Sequence, residues 1–114
     1  MKSFPKFLKC RKDKVDPSQQ YTDDIEGYYF NGKSGTQLAF WEYLTDRESG
    51  SHSHDFDEYI VCVSGEYTTL MNGEEIVLKP GNELVIAKGT EHSSKAKAGT
   101  RAIFGFSGKR IIEK

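Results

Sequence analysis

From residue 50 onward glycine recurs at Gly50, Gly65, Gly73, Gly81, Gly89 and Gly99, at gaps of 15, 8, 8, 8 and 10 residues. Turn signals every ~8–12 residues, with short β-rich runs between them, leave room for strands and none for long helices. The intervening runs have the expected composition. Leu38–Leu44 is aromatic and apolar, Glu58–Val63 is β-branched, and Glu83–Ala87 and Arg101–Phe106 complete the set. Tyr67–Met71 and Glu75–Leu78 flank Asn72-Gly73. Asn-Gly between two such runs is a strong hairpin signal, because both residues tolerate the positive φ of a type I′ turn. A second hairpin is expected around Asn31-Gly32, after Tyr28-Tyr29-Phe30. No window shows a sustained 3.6-residue apolar period. Helix is confined to the first twenty residues, where Pro5 and Pro17 limit it. The pattern therefore predicts an all-β sandwich or barrel.

A length of 114 residues suits one domain with a core of its own. Residues 1–20 are read as an N-terminal arm or edge strand, and residues 21–114 as the barrel. Sixteen basic residues against seventeen acidic ones leave a net charge of -1. That balance provides no global attraction to nucleic acid or to an anionic membrane. The local cluster Lys6, Lys9, Arg11, Lys12 and Lys14 has no interleaved aromatic platform and reads as a solvated arm. No stretch approaches the ~20 apolar residues of a membrane span. The start, Met1 to Lys9, is basic without an apolar core, unlike a secretory signal. Two cysteines, Cys10 and Cys62, are too few for a disulfide scaffold, so reduced thiols in a cytoplasm are expected.

The chain has three histidines, and two stand two apart in Gly50-Ser51-His52-Ser53-His54. On a strand, residues i and i+2 share a face with Cα atoms roughly 6.5 Å apart. Both imidazoles then reach one ion at about 2.0–2.2 Å. Acidic residues follow at Asp55, Asp57 and Glu58. Glu58 lies roughly 13 Å beyond His54 along a straight strand, too far for a shared ion. A metal site here requires the chain to bend at Asp55-Phe56-Asp57, and spacing alone does not choose between Asp57 and Glu58.

The stretch Gly50–Gly65 resembles the first motif of the cupin superfamily, Gly-x(5)-His-x-His-x(3,4)-Glu-x(6)-Gly, with His52, His54, Glu58 and Gly65 in register. Only the leading glycine is displaced. Gly81–His92 is similar to the second motif, Gly-x(5)-Pro-x-Gly-x(2)-His-x(3)-Asn, with Ala87 and Ala96 in place of proline and asparagine. The resemblance implies a double-stranded β-helix, or jelly-roll barrel, of antiparallel strands. It also implies a metal held by His52, His54, Glu58 and His92. Such a donor set suits Fe, Mn, Ni, Co, Cu or Zn as divalent ions. It would leave open positions for a small oxygen-rich ligand, such as a sugar derivative, keto acid or catechol. The expected activity is that of a metal-dependent dioxygenase, isomerase or decarboxylase. The alternative is a non-catalytic module that binds or senses a small molecule.

Other residues remain without an assigned role. Trp41 and Tyr43 share one face of their strand, Phe40 and Glu42 the other, and alternation does not say which faces inward. Arg101 is either a surface residue or a clamp on a substrate carboxylate. Cys62, four residues past Glu58, reads as a small buried hydrophobe. Tyr59, Val61 and Val63 are apolar on the face opposite Ile60 and Cys62. Both faces of that strand therefore need cover, and a homodimer is expected to supply the second.

Overall fold

The computed structural model of the chain describes residues 3–16 and 25–111. Among the described residues nine strands follow in order: β1 (Ile25–Asn31), β2 (Gln37–Tyr43), β3 (Arg47–Glu48), β4 (Glu58–Ser64), β5 (Tyr67–Met71), β6 (Glu74–Leu78), β7 (Glu83–Ile86), β8 (His92–Ala96) and β9 (Arg101–Phe106). Two single 3₁₀ turns, Lys6–Leu8 and Arg11–Asp13, precede them. The expected boundary after residue 20 lies outside the described residues. Among the described residues no helix is long and apolar enough to cross a membrane.

Five of the six punctuating glycines adopt positive φ, and Gly50 does not. At Gly65 the requirement is double. Its φ is 77°, and an added Cβ would lie 2.6 Å from the Thr100 Cα. Asn72 and Gly73 both turn through positive φ, at 53° and 76°, and close the β5–β6 hairpin. β1 and β2 form the other expected hairpin. Its connection is longer than an Asn-Gly turn: the Gly32 N–H donates to the Thr36 carbonyl at 2.7 Å, and the positive φ falls on Gly35.

All pairings are antiparallel, in a five-stranded sheet ordered β1-β2-β9-β4-β7 and a four-stranded sheet ordered β3-β8-β5-β6. Strands distant in sequence are neighbours, which is the jelly-roll arrangement. Ile60, Cys62, Tyr67, Leu78, Ile86, Ala102 and Phe104 belong to one buried cluster. Ile60 is fully buried, which contributes on the order of 2 kcal/mol. β8, His-Ser-Ser-Lys-Ala, has no apolar alternation and is not legible as a strand. It forms by pairing with β5 along its whole length.

The N-terminal segment lies on the outer face of the larger sheet. Phe4 is buried edge-on against Phe40, with ring centroids 5.3 Å apart. Glu42 accepts from the Phe4 N–H at 2.7 Å and the Ser3 hydroxyl at 2.8 Å, and pairs with Lys9 at 3.1 Å. Lys9 is therefore not part of a solvated arm, because a buried carboxylate draws it down. Arg101 departs from both readings made of it. It is buried on this outer face, its guanidinium carbon 5.1 Å from the Phe4 ring centroid, and its Nε donates to the Ser64 hydroxyl at 3.1 Å. It is no surface residue, and its register opposite Glu42 points it away from the barrel interior.

Among the described residues the second cover of β4 is incomplete. Glu58, Ile60 and Cys62 face inward and are buried, while Tyr59 is 37% exposed, with Val61 and Val63 half-buried. Cys10 is exposed, Cys62 is buried, and both are free.

Candidate metal centre

The three histidines converge inside the barrel. One nitrogen from each of His52, His54 and His92 lies within 4.8 Å of the other two. His52 and His92 face each other across an antiparallel bridge that joins the loop before β4 to the start of β8. Their backbones exchange two hydrogen bonds of 2.9 Å. His54 follows two residues later, and the chain then bends at Asp55-Phe56 as the metal reading required.

Two of the rings are held in one tautomer. The Nδ1 of His52 lies 2.8 Å from the Gly50 carbonyl, and the Nδ1 of His92 lies 2.9 Å from the Thr90 carbonyl. A carbonyl only accepts, so each Nδ1 carries the proton. Each Nε2 is left with its lone pair for a metal. His54 is held differently. Its ring stacks on Phe56 at 4.7 Å and 11°. Burial, then the neighbouring charges of His52, Arg110 and His92, push its pKa down to about 4. Burial likewise lowers His92. Both imidazoles are thus neutral at neutral pH, the form that binds a metal.

Glu58 and Asp57 part company in space. The Asp57 carboxylate accepts from the Lys88 N–H at 2.9 Å, and its backbone pairs with Ser107. Glu58 points into the cavity, with its Oε1 3.7 Å from the His54 Nε2. It stands beside the triangle of imidazole nitrogens rather than within that mutual grouping. Burial pushes its pKa up to about 7, against the pull of Arg110. The contact with neutral His54 is therefore not an ion pair at neutral pH. A buried carboxylate among neutral imidazoles is a donor set that a divalent cation complements.

The cavity holds about 70 Å³. Trp41 and Tyr43 face inward and line it, which settles the alternation that sequence left open. Tyr43, Tyr67 and Ser94 form a chain of hydroxyls along one wall. Burial raises both tyrosines, Tyr43 well above the ordinary value, so their hydroxyls stay protonated and serve as donors. Two cations, Arg47 and Arg110, also line the cavity. Sequence reading passed over both. Arg110 lies eighteen residues beyond His92, outside either motif, and only its placement near Glu58 and His54 marks it.

Comparison with known proteins agrees with this architecture. A family model described as "Cupin domain" matches residues 39–104. No match was found among curated proteins. Among solved structures, KdgF from Halomonas sp. is 20% identical with a TM-score of 0.71, covering 79% of this chain and 84% of that one. An RmlC-like cupin from Shewanella frigidimarina is 18% identical with a TM-score of 0.74, covering 95% and 90%. The cupin domain of Cnp3 from Schizosaccharomyces pombe is 12% identical with a TM-score of 0.67, covering 82% and 71%. At these identities the likeness concerns the fold.

Proposed function

This chain belongs to the cupin domain family, and from that premise we propose that it holds one divalent transition metal and uses it to bind a small, oxygen-rich organic anion. The observation that carries the reading is the set of three imidazole nitrogens within 4.8 Å of one another, in a cavity also lined by Glu58, Arg47 and Arg110. His52, His54 and His92 would hold the ion, with Glu58 as the fourth ligand. The metal would supply Lewis acidity toward an oxygen of the ligand.

The remaining roles belong to the chain itself. Arg47 and Arg110 offer guanidinium forks, which suit a carboxylate and favour a keto acid or an acidic sugar derivative over a neutral ligand. Tyr43 and Ser94 both donate to the Tyr67 oxygen, which leaves the Tyr67 O–H to donate to a ligand oxygen. Trp41, Phe104 and Phe106 supply an apolar wall that limits water.

Elemental analysis of protein purified without added metal tests this reading. About one metal equivalent per chain is expected, and His52→Ala or His92→Ala should strip it. Equal metal content in wild type and His52→Ala after chelation and reconstitution would overturn the assignment. Asp57→Asn should leave affinity intact while Glu58→Gln lowers it, and the reverse ranking would move the fourth ligand to Asp57. Screening small carboxylates with the metal found then separates turnover from binding alone.

The assembly proposed is a homodimer through the outer face of the larger sheet. Leu38, Tyr59 and Val85 are 43%, 37% and 62% exposed on that face. Phe4 covers its β2 portion and the Arg101 end of β9. A mass near 12.9 kDa by light scattering at micromolar concentration would exclude a stable dimer. Val61→Lys should yield monomer while metal content stays unchanged.

A further inference from the structure

The amide side chain of Gln37, at the start of β2, is buried at 3% exposure and is committed to a segment 74 residues away. Its Oε1 accepts from the Ile111 N–H at 2.9 Å. Its Nε2 donates to the Ile111 carbonyl at 2.8 Å and to the Asn31 Oδ1 at 2.9 Å. The Ile111 side chain is buried in the core. Residues 107–111 are thus pinned at their far end by Gln37. They are pinned at their near end by Asp57, whose carbonyl accepts from the Ser107 N–H at 3.0 Å. Asp57 in turn donates its N–H to the Ser107 hydroxyl at 2.7 Å.

Two residues between these pins meet the metal centre. Gly108 lies on Phe56 so closely that an added Cβ would stand 2.9 Å from the Phe56 Cβ. Phe56 is the ring on which His54 stacks. Arg110 enters the cavity. His52 and His92 have carbonyls to orient them, whereas the Nδ1 of His54 has no such acceptor among the described residues. Its orientation comes from the stack, and the stack is backed by the clamped turn.

We propose that Gln37 is a positioning residue for His54 and Arg110, acting through the C-terminal turn that it clamps. The proposal rests on reading His54 as a metal ligand and Arg110 as the anion contact. A group that orients a ligand without touching the metal typically changes affinity by about 10–100-fold.

The test compares wild type, Gln37→Leu and Arg110→Gln. In metal-free protein, the Cε1–H signal of His54 carries the ring-current shift of Phe56. Gln37→Leu should move that signal toward its unstacked position and leave the His92 signal in place. In Co(II)-loaded protein, Gln37→Leu should alter the visible d–d bands and raise the Kd for pyruvate about tenfold. Arg110→Gln should raise the pyruvate Kd while leaving the His54–Phe56 stack, read as a nuclear Overhauser contact between the two rings, intact. If Gln37→Leu does not fold, Gly108→Ala presses on the same lever, since its methyl displaces Phe56, and it should shift the His54 signal alone. A folded Gln37→Leu or Gly108→Ala protein with an unmoved His54 signal overturns the proposal. Wild-type protein that takes up no Co(II) overturns the metal reading instead, and the metal-free histidine signals still decide the clamp.

Discussion

Glu42 and Glu58 are each 6% exposed and lie on opposite faces of the same sheet, yet their environments act on them in opposite directions. Glu42, on the outer face, gathers the Phe4 N–H, the Ser3 hydroxyl and the Lys9 ammonium. Burial opposes its ionisation, but these donors together outweigh burial and hold its pKa below the ordinary value. Glu58, on the inner face, has no hydrogen-bond donor among the described residues, and burial pushes its pKa up to about 7. Equal burial therefore does not mean equal charge. The satisfied carboxylate fastens a segment of chain, and the unsatisfied one is the group proposed above as the fourth metal ligand.

The largest effects are expected at Glu58. In metal-free protein Glu58 binds a proton more tightly folded than unfolded. Its contribution to stability should therefore fall as pH rises from about 4.5 to about 7, by up to about 3 kcal/mol, while His54 and His92, whose pKa values are lowered, contribute in the opposite sense over an overlapping range. Glu58→Gln should abolish that slope and raise metal-free stability at neutral pH by a similar amount, while weakening metal binding at least about tenfold. Denaturant titrations of metal-free wild type and Glu58→Gln across that pH range check the point, and a stability difference between the two that does not change with pH would remove the contrast between the glutamates.

Glu42→Leu should act in the other sense. It leaves the buried Phe4 N–H and the Ser3 hydroxyl without their acceptor and leaves Lys9 with only Ser3 and Glu26, which destabilises by about 1–3 kcal/mol. It should also release residues 3–9 to proteolysis without loss of metal. Because the Glu42 pKa is depressed, its contribution is present above the unfolded value near 4.5 and is lost as pH falls through the lower folded value. A Glu42→Leu protein should therefore lose the wild-type stability decrement on acidification below about 4.5. Unfolding monitored on both sides of that pH separates the two glutamates, Glu42 acting below it and Glu58 above it, with slopes of opposite sign.

Lys9→Met should give the smallest change, about 0.5–1 kcal/mol, since it deletes one donor of three and leaves the other two on Glu42. A loss as large as that of Glu42→Leu would mean that the ion pair alone secures the segment.

What the sequence by itself determined is local. Positive φ at Gly65, Asn72 and Gly73 is a property of the residue and its turn, so the β architecture could be read from glycine spacing. His52 and His54 are two residues apart, and His92 belongs to a short motif, so the imidazole cluster was legible as well. The bend at Asp55-Phe56 followed from the length of an extended chain. Only the tertiary structure decided which parity of β2 faces inward, since Phe40-Trp41-Glu42-Tyr43 is amphipathic in neither direction. It alone drew Lys9 and Arg101 against the N-terminal segment and made a strand of polar β8. It alone brought Arg110 to the histidines, beside a backbone that Gln37 bonds from 74 residues away. Turn chemistry is encoded within a few residues. Charge placement across a barrel depends on which strands become neighbours, and no short window of sequence contains that information.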